Sequence, residues 1–326
     1  MGITELPEGL PGAIISFPML GDAFAVNPSG TYQLFGRTFY WYGAIIGLGF
    51  LLGVLYCFRR GPREFGVSTD TMTDVILIGL PSTLVGARLY YVLCHLERYR
   101  GDTLGQTLWN ACKIWEGGSA IPGGLLLMML LLWVYARRKK IPLGALMDVG
   151  VFGLLIGQVV GRWSNFMNRE YIGTVTDVFC RMGLTVENGT TYYVHPLFLY
   201  ESLWNLAGFV FLHIWSKRKP RRFDGQYLLF YLVWYGAIRV LLEPIRSSPL
   251  YIPGTRLLAS QVIMGAVMLA SLALLVLLSR KNRESGSLWV DRVRAEQEKE
   301  KKEDTPPPGD ASDSNEKKEG DENHEV

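Results

Sequence analysis

Seven stretches of the chain are apolar over about the 20 residues that the hydrocarbon core of a bilayer requires of a spanning helix. Four are nearly free of charge: Tyr40–Phe58, Ser119–Ala136, Pro196–Trp215 and Leu257–Ser279. Three are interrupted by polar residues: Thr71–Cys94, Ile141–Arg162 and Gly225–Glu243. None alternates apolar with polar residues as a membrane-barrel strand does. Lipid offers no partner to an open backbone group, so each run is predicted to be a helix. The expected fold is all-α, a polytopic membrane protein with seven transmembrane helices.

Composition agrees. Of 326 residues, 49% are hydrophobic and 19% charged, against about 25% charged in a soluble protein. The net charge of +3 says less than its distribution. Basic clusters follow the odd-numbered spans: Arg59, Arg60 and Arg63; Arg137 to Lys140; Lys217 to Arg222; then Arg280, Lys281 and Arg283. The alternate loops hold fewer. Basic residues stay cytoplasmic, which predicts an outside N-terminus and a cytoplasmic C-terminus. The start has no positive region of a cleaved signal peptide, since the first basic residue is Arg37.

Three segments follow from this: an extracytoplasmic N-terminal segment (1–39), a seven-helix domain (40–284) and a charged tail (285–326). Residues 296–326 are almost devoid of aliphatic side chains and are expected to be disordered. No internal repeat supports an inverted-repeat transporter. The cysteines Cys57, Cys94, Cys112 and Cys180 form no C-x-x-C pair, and no His stands at metal-ligand spacing, so no metal site is expected. One disulfide among the last three and free thiols in apolar surroundings are both open.

Charge inside a span is expensive unless it is paired or functional. Asp74 and Asp148 fall near the cytoplasmic starts of their helices and are expected to cap or solvate the interface. Arg88, Arg162, Glu201, Arg239 and Glu243 all fall in the outer half, on four helices. Tyr235, Arg239, Glu243 and Arg246 share one helical face, and Gln158, Arg162 and Asn165 another. Arg162 and Arg239 can then meet across a cavity. Arginine suits phosphate because its planar fork bonds two oxygens at once. A phosphate at that depth belongs to a phospholipid head group. Structural ion pairs and a transport path are the competing readings; the second is opposed by the absence of charge carried down to the cytoplasmic side.

The run Gly161-Arg162-Trp163-Ser164-Asn165-Phe166-Met167-Asn168-Arg169-Glu170-Tyr171-Ile172-Gly173 resembles the signature of bacterial prolipoprotein diacylglyceryl transferases. Agreeing pieces are Trp41-Tyr42-Gly43, Gly86-Ala87-Arg88, Trp115-Glu116-Gly117-Gly118, His195-Pro196 with Leu199-Tyr200-Glu201, and Tyr235-Gly236 with Arg239 and Glu243. The resemblance spans roughly residues 35–280. It implies an enzyme of the bacterial cytoplasmic membrane that moves the diacylglyceryl group of phosphatidylglycerol onto the lipobox cysteine of a prolipoprotein. A thioether forms and glycerol phosphate leaves. The implied partners are that lipid, prolipoproteins and the bilayer, with no nucleic acid, and no metal or organic cofactor is implied. Ser164 replaces the usual Gly or Ala. Pro122 stands where many members have a histidine that accepts a proton.

The chemistry needs a thiolate, and a free thiol titrates near 8.5, so little is ionised at neutral pH. Arg162 and Arg239 are expected to hold the phosphate and stabilise the leaving group. Asn165, Tyr42 and Tyr235 are candidates to hydrogen-bond the head group. Glu201 and Glu243 are expected to orient Arg88, Arg239 or Arg246. His195 is the candidate base, with a structural bond to a backbone carbonyl as the alternative; His95 is expected at the interface. Glu170 and Gly173 belong to the signature and count as substrate-binding positions, with a turn at positive φ as the structural alternative for Gly173.

Overall fold

The protein was described from a computed structural model, in which residues 12–21, 24–113, 117–219, 221–281 and 288–303 are described. Trp115 and Glu116 of the motif before the third span lie outside them, as do residues 304–326 of the tail. Among the described residues, seven helices are long and apolar enough to cross a membrane. They are α1 (Trp41–Arg60), α2 (Thr69–Cys94), α5 (Ile121–Arg138), α6 (Leu143–Asn168), α7 (Leu197–Arg218), α8 (Gln226–Leu242) and α9 (Ala259–Lys281). Two short helices, α3 (Leu96–Tyr99) and α4 (Leu104–Cys112), follow α2.

Two helix pairs approach closely because their facing residues are glycines, as is usual where van der Waals packing drives association in lipid. A Cβ on Gly53 of α1 would lie 2.6 Å from the Gly153 carbonyl of α6, and one on Gly86 of α2 would lie 2.5 Å from that of Gly123 on α5. The main core gathers around α6, with Val149, Phe152 and Leu155 packed near Phe65, Leu212, Tyr227 and Tyr231.

α6 runs six residues past the expected end at Arg162. Trp163 to Asn168 hold no helix breaker, and the helix stops only where Arg169 turns left-handed (φ 55°), its N–H bonded to the Asn165 and Phe166 carbonyls. Asn165 is therefore on the helix. Arg169 bonds the Ala13 and Pro28 carbonyls and Asn27, which ties the N-terminal segment to this corner.

The sequence pattern did not show the small sheets. Strands β1 (Ile14–Ser16), β2 (Ala25–Val26), β5 (Met182–Thr185) and β6 (Thr191–Val194) form an antiparallel sheet in the order β2-β1-β5-β6, and β3 (Thr31–Leu34) pairs with β4 (Arg37–Tyr40) in a hairpin. Ile15, Met182, Leu184 and Val194 pack from the larger sheet against Phe166 and Phe198. The sheet thus roofs the ends of α6 and α7 and fixes the loop between them.

Asp148 is not at a solvated interface. It is fully buried, pairs with Arg221 at 3.0 Å, and accepts the N–H groups of Gly225, Tyr227 and Leu228. It caps α8 from a neighbouring helix, satisfying donors that a helix start leaves open. Asp74 remains half-exposed and accepts from Tyr135 at 2.8 Å.

The disorder expected of the tail is contradicted within 289–303. Trp289–Glu303 forms a helix, α10. Its Glu, Lys, Gln and Ala residues are strong helix formers, and its start is anchored. Leu288 and Val290 are buried, the Trp289 indole donates to the Gly66 carbonyl at 3.0 Å, and the Trp289 N–H donates to Asp224 at 2.9 Å. Three apolar residues suffice to dock a segment whose average composition is too polar to fold alone.

Candidate active site

Three helices converge at one end of the bundle. Arg162 lies in the last two turns of α6, Glu201 near the start of α7, and Arg239 in the last turn of α8. Glu243 opens the 3-10 turn Glu243–Ile245 that extends α8, and Arg246 follows it. Arg239 reaches Glu201 and Glu243 at 3.0 Å each, Arg246 lies 3.7 Å from Glu243, and Arg162 pairs with the other oxygen of Glu201. Both glutamate side chains are 0% exposed, whereas those of Arg162, Arg239 and Arg246 are 20%, 13% and 31% exposed. The carboxylates therefore stand behind and the guanidiniums in front. Three guanidiniums against two carboxylates leave a net charge of +1, enough to receive one monoanion.

Tyr171 sits in the middle of this cluster, and no helical stripe pointed to it. Its phenol donates to Glu201 Oε1 and accepts from Arg239, both at 2.5 Å. The guanidinium carbons of Arg162, Arg246 and Arg239 lie 4.6, 5.5 and 5.7 Å from its ring centroid. Burial, and then the Glu201 carboxylate, pushes this phenol well above the usual tyrosine range, so it stays protonated and can keep donating. Its backbone is left-handed (φ 56°), a conformation costing roughly 1–3 kcal/mol for a bulky residue. The hydrogen bonds and ring contacts offset that strain. The signal was present in the signature, where one aromatic follows Arg169-Glu170 just past the helix end.

The other expected residues divide. Asn165 accepts a long 3.5 Å bond from Arg162, and Tyr235, stacked on Tyr231 with ring centroids 5.6 Å apart, interacts with Glu201, Arg239 and Arg162. Gly173 joins the cluster through a β-bridge to Arg246. It needs no positive φ. A Cβ there would lie 2.5 Å from the His195 Cβ and 2.9 Å from the Ile245 carbonyl, so close approach of three chain segments explains the glycine. His195 packs behind it, with Nδ1 3.3 Å from the Tyr200 hydroxyl. Burial lowers the His195 pKa below its ordinary value, which keeps the ring neutral at neutral pH. Glu170 is exposed and accepts from Asn168 at 3.2 Å. Tyr42 is exposed in the first turn of α1. His95 is exposed and stacks on Tyr91.

Arg88 is not brought to the cluster. It is 6% exposed, and its guanidinium donates to the carbonyls of Asn110, Ala111, Lys113, Gly117 and Gly118 and to the Tyr99 hydroxyl. It pins the loop after α2. The expectation that Glu201 or Glu243 orients Arg88 does not hold, because Arg162, Arg239 and Arg246 take both carboxylates.

Beside the cluster, Trp163 and Phe166 of α6 and Phe198 and Leu199 of α7 line an apolar cleft of about 750 Å³. Apolar material can enter it without desolvating a charge. All four cysteines are free. Among the described residues, no group of three His, Cys, Asp or Glu side chains is placed to hold a metal ion.

Among the described residues, seven helices able to span a membrane define a multi-pass membrane protein, and its arginine cluster at one end carries a surplus of positive charge. Comparison with known proteins makes that class specific. Residues 31–277 match the family model of prolipoprotein diacylglyceryl transferase. The chain is 38% identical over 240 residues to the phosphatidylglycerol–prolipoprotein diacylglyceryl transferase of Halalkalibacterium halodurans, covering 71% of this chain and 79% of that protein. It is 35% identical over 268 residues to the same-named protein of Streptococcus equi subsp. zooepidemicus, covering 80% and 97%. This chain belongs to the prolipoprotein diacylglyceryl transferase family.

Proposed function

We propose that the cluster of Arg162, Arg239 and Arg246 receives the phosphate of phosphatidylglycerol. The chain is a transferase that moves the diacylglyceryl group of this lipid to a prolipoprotein. The observation that carries the site assignment is the charge balance: the cluster's one surplus positive charge matches the single negative charge of a phosphodiester.

In the proposed step, the thiolate of the prolipoprotein's lipobox cysteine attacks the glyceryl carbon that bears the phosphate. A C–S bond forms as the C–O bond breaks, and the bonding pair leaves on glycerol phosphate. The thiol proton ends on the leaving phosphate or a base. Negative charge grows on the phosphate during the step, where fixed guanidiniums stabilise it without reorganising. Tyr171 and the two glutamates hold those guanidiniums in place, and Tyr235 and Asn165 serve the head group. Tyr42, Glu170 and Gly173 remain proposed substrate-binding positions. His195, neutral and close behind Gly173, is the proposed thiol base, in place of the histidine that Pro122 displaces.

Basic-residue placement supports a site facing outward from the bacterial cytoplasmic membrane. A reporter active only outside should then work when fused after Lys113 or near Asn188 and stay silent after Lys140 or Arg222. Activity at Arg222 would overturn that orientation. The reaction itself is tested with the purified chain, phosphatidylglycerol and a lipobox peptide. Thioether-linked diacylglyceryl peptide and released glycerol phosphate are expected; their absence from folded protein would refute the reading.

A further inference from the structure

One helical turn below the arginine cluster, toward the middle of the membrane, lies a second polar tier. Gln158 precedes Arg162 by four residues on α6, and Asn205 follows Glu201 by four on α7, so each lies about 6 Å along its helix from the ion pair. The two helices run antiparallel in a fixed register. Arg162 meets Glu201, and the Ser202 hydroxyl donates to the Val159 carbonyl at 2.9 Å. That register brings Gln158 level with Asn205.

Both amides carry unused hydrogen-bonding capacity. Asn205 is 0% exposed, and neither of its amide atoms has a partner among the described residues. Gln158 Oε1 is also buried and unpartnered, while its Nε2 donates to Tyr231 at 2.8 Å. Unpaired amides in apolar surroundings are destabilising, so such atoms call for a partner beyond the protein's own groups. Amide oxygen and nitrogen are interchangeable by a flip. Turned over, Gln158 accepts from the Tyr231 hydroxyl and frees its own NH₂.

We infer that Gln158 and Asn205 bind the two ester carbonyls of the diacyl lipid donor. The inference rests on the proposed phosphate site. With its phosphate at the arginines, the lipid places its glycerol backbone and ester groups next toward the membrane interior. Ester carbonyls are neutral acceptors without hydrogens to donate. Two neutral amide donors suit them, and a second charged group would not. The tier thus reads the linkage between glycerol and acyl chain, a feature the arginines cannot sense.

The test compares diacyl phosphatidylglycerol with its dialkyl ether analogue of equal chain length, which keeps the phosphate and the reacting carbon but lacks both carbonyls. The full chain and one acceptor peptide are used throughout. Wild-type kcat/KM is expected to be about tenfold higher for the diester, mainly through KM, the scale of one or two hydrogen bonds. Asn205→Leu and Gln158→Leu should lower the diester rate toward the ether rate and leave the ether rate nearly unchanged. Equal wild-type rates for the two lipids would overturn the inference even if neither variant folds. So would folded variants that lose both rates together, the signature of amides that only hold buried water. Transfer from both lipids at equal rates would leave the phosphate site standing; no transfer from either would remove that site and this inference with it.

Discussion

Arg88 and the pair Arg162–Arg239 were expected at the same depth, as charges converging on one cavity, and the structure gives them opposite surroundings. Arg88 spends its donors on five backbone carbonyls and a phenol. Those acceptors belong to the loop that it holds, and no donor is left over for a ligand. Arg162 and Arg239 face carboxylates and a tyrosine, keep part of their surface exposed, and share in a surplus of positive charge. A carboxylate can share a guanidinium with an arriving phosphate, because both accept through oxygen in the same planar geometry. A buried arginine is thus a functional candidate when its partners are shareable, and a structural one when the backbone consumes it.

The largest expected effect separates the two sites outright. Arg162→Ala and Arg239→Ala should each cut the transfer rate by about 100-fold or more, the scale for losing a preorganised donor to developing charge. Lysine at either position should rescue poorly. Each variant also takes one of two arginine partners from a buried carboxylate, since Glu201 keeps Arg239 or Arg162 and Glu243 keeps Arg246, so the rate is read per folded molecule after a thermal melt. Arg88→Ala should show the reverse pattern. Its melting temperature should fall clearly, while transfer per folded molecule stays within about threefold, since its partners hold a loop. A folded Arg88→Ala protein without activity would erase the distinction.

Tyr171→Phe sharpens the picture within the cluster. It keeps the ring among the guanidiniums and removes the hydroxyl shared by Glu201 and Arg239. A loss of about tenfold or more in kcat/KM is expected for hydrogen bonds to charged groups; an unchanged rate would make the phenol a spacer. His195→Ala should cost less than either arginine variant, because the positive cluster itself favours a thiolate. Burial depresses the His195 pKa, so the neutral, proton-accepting form persists to lower pH than usual. The acid limb of the wild-type rate should therefore fall below pH 6.5 and flatten in His195→Ala. The smallest effect is expected from deleting residues 296–326, which retains the Leu288–Val290 anchor; a folded deletion without activity would tie the tail to the reaction.

The seven spans were legible because a bilayer imposes length and apolarity on every crossing helix, and their ends shifted by only a few residues. The exception was α6, whose last six residues are too polar for a hydropathy reading yet continue the helix. The helical stripes placed Arg162, Arg239, Glu243 and Arg246 correctly with respect to one another. Arg88, grouped with them by depth alone, was misplaced, because depth in the membrane says nothing about which way a side chain turns around its helix. Tyr171 was invisible to any periodicity, since a left-handed residue after a helix end has no face. The β-strands, two to four residues long, fell below the length at which alternation is readable. α10 was missed because an average over a charged segment hides three anchoring residues at its start.

The central claim is that Arg162 and Arg239 touch the lipid phosphate and Arg88 does not. The direct measurement is ³¹P–¹⁵N dipolar coupling by solid-state NMR, with guanidinium-labelled arginine in the full chain, reconstituted with phosphatidylglycerol and no acceptor. The account predicts arginine N–H groups hydrogen-bonded to the lipid's phosphate oxygens, seen as strong nitrogen–phosphorus coupling. That signal should be lost or sharply weakened in folded Arg162→Ala and Arg239→Ala proteins, and retained in Arg88→Ala. A coupling that survives both cluster substitutions and disappears with Arg88 would contradict it.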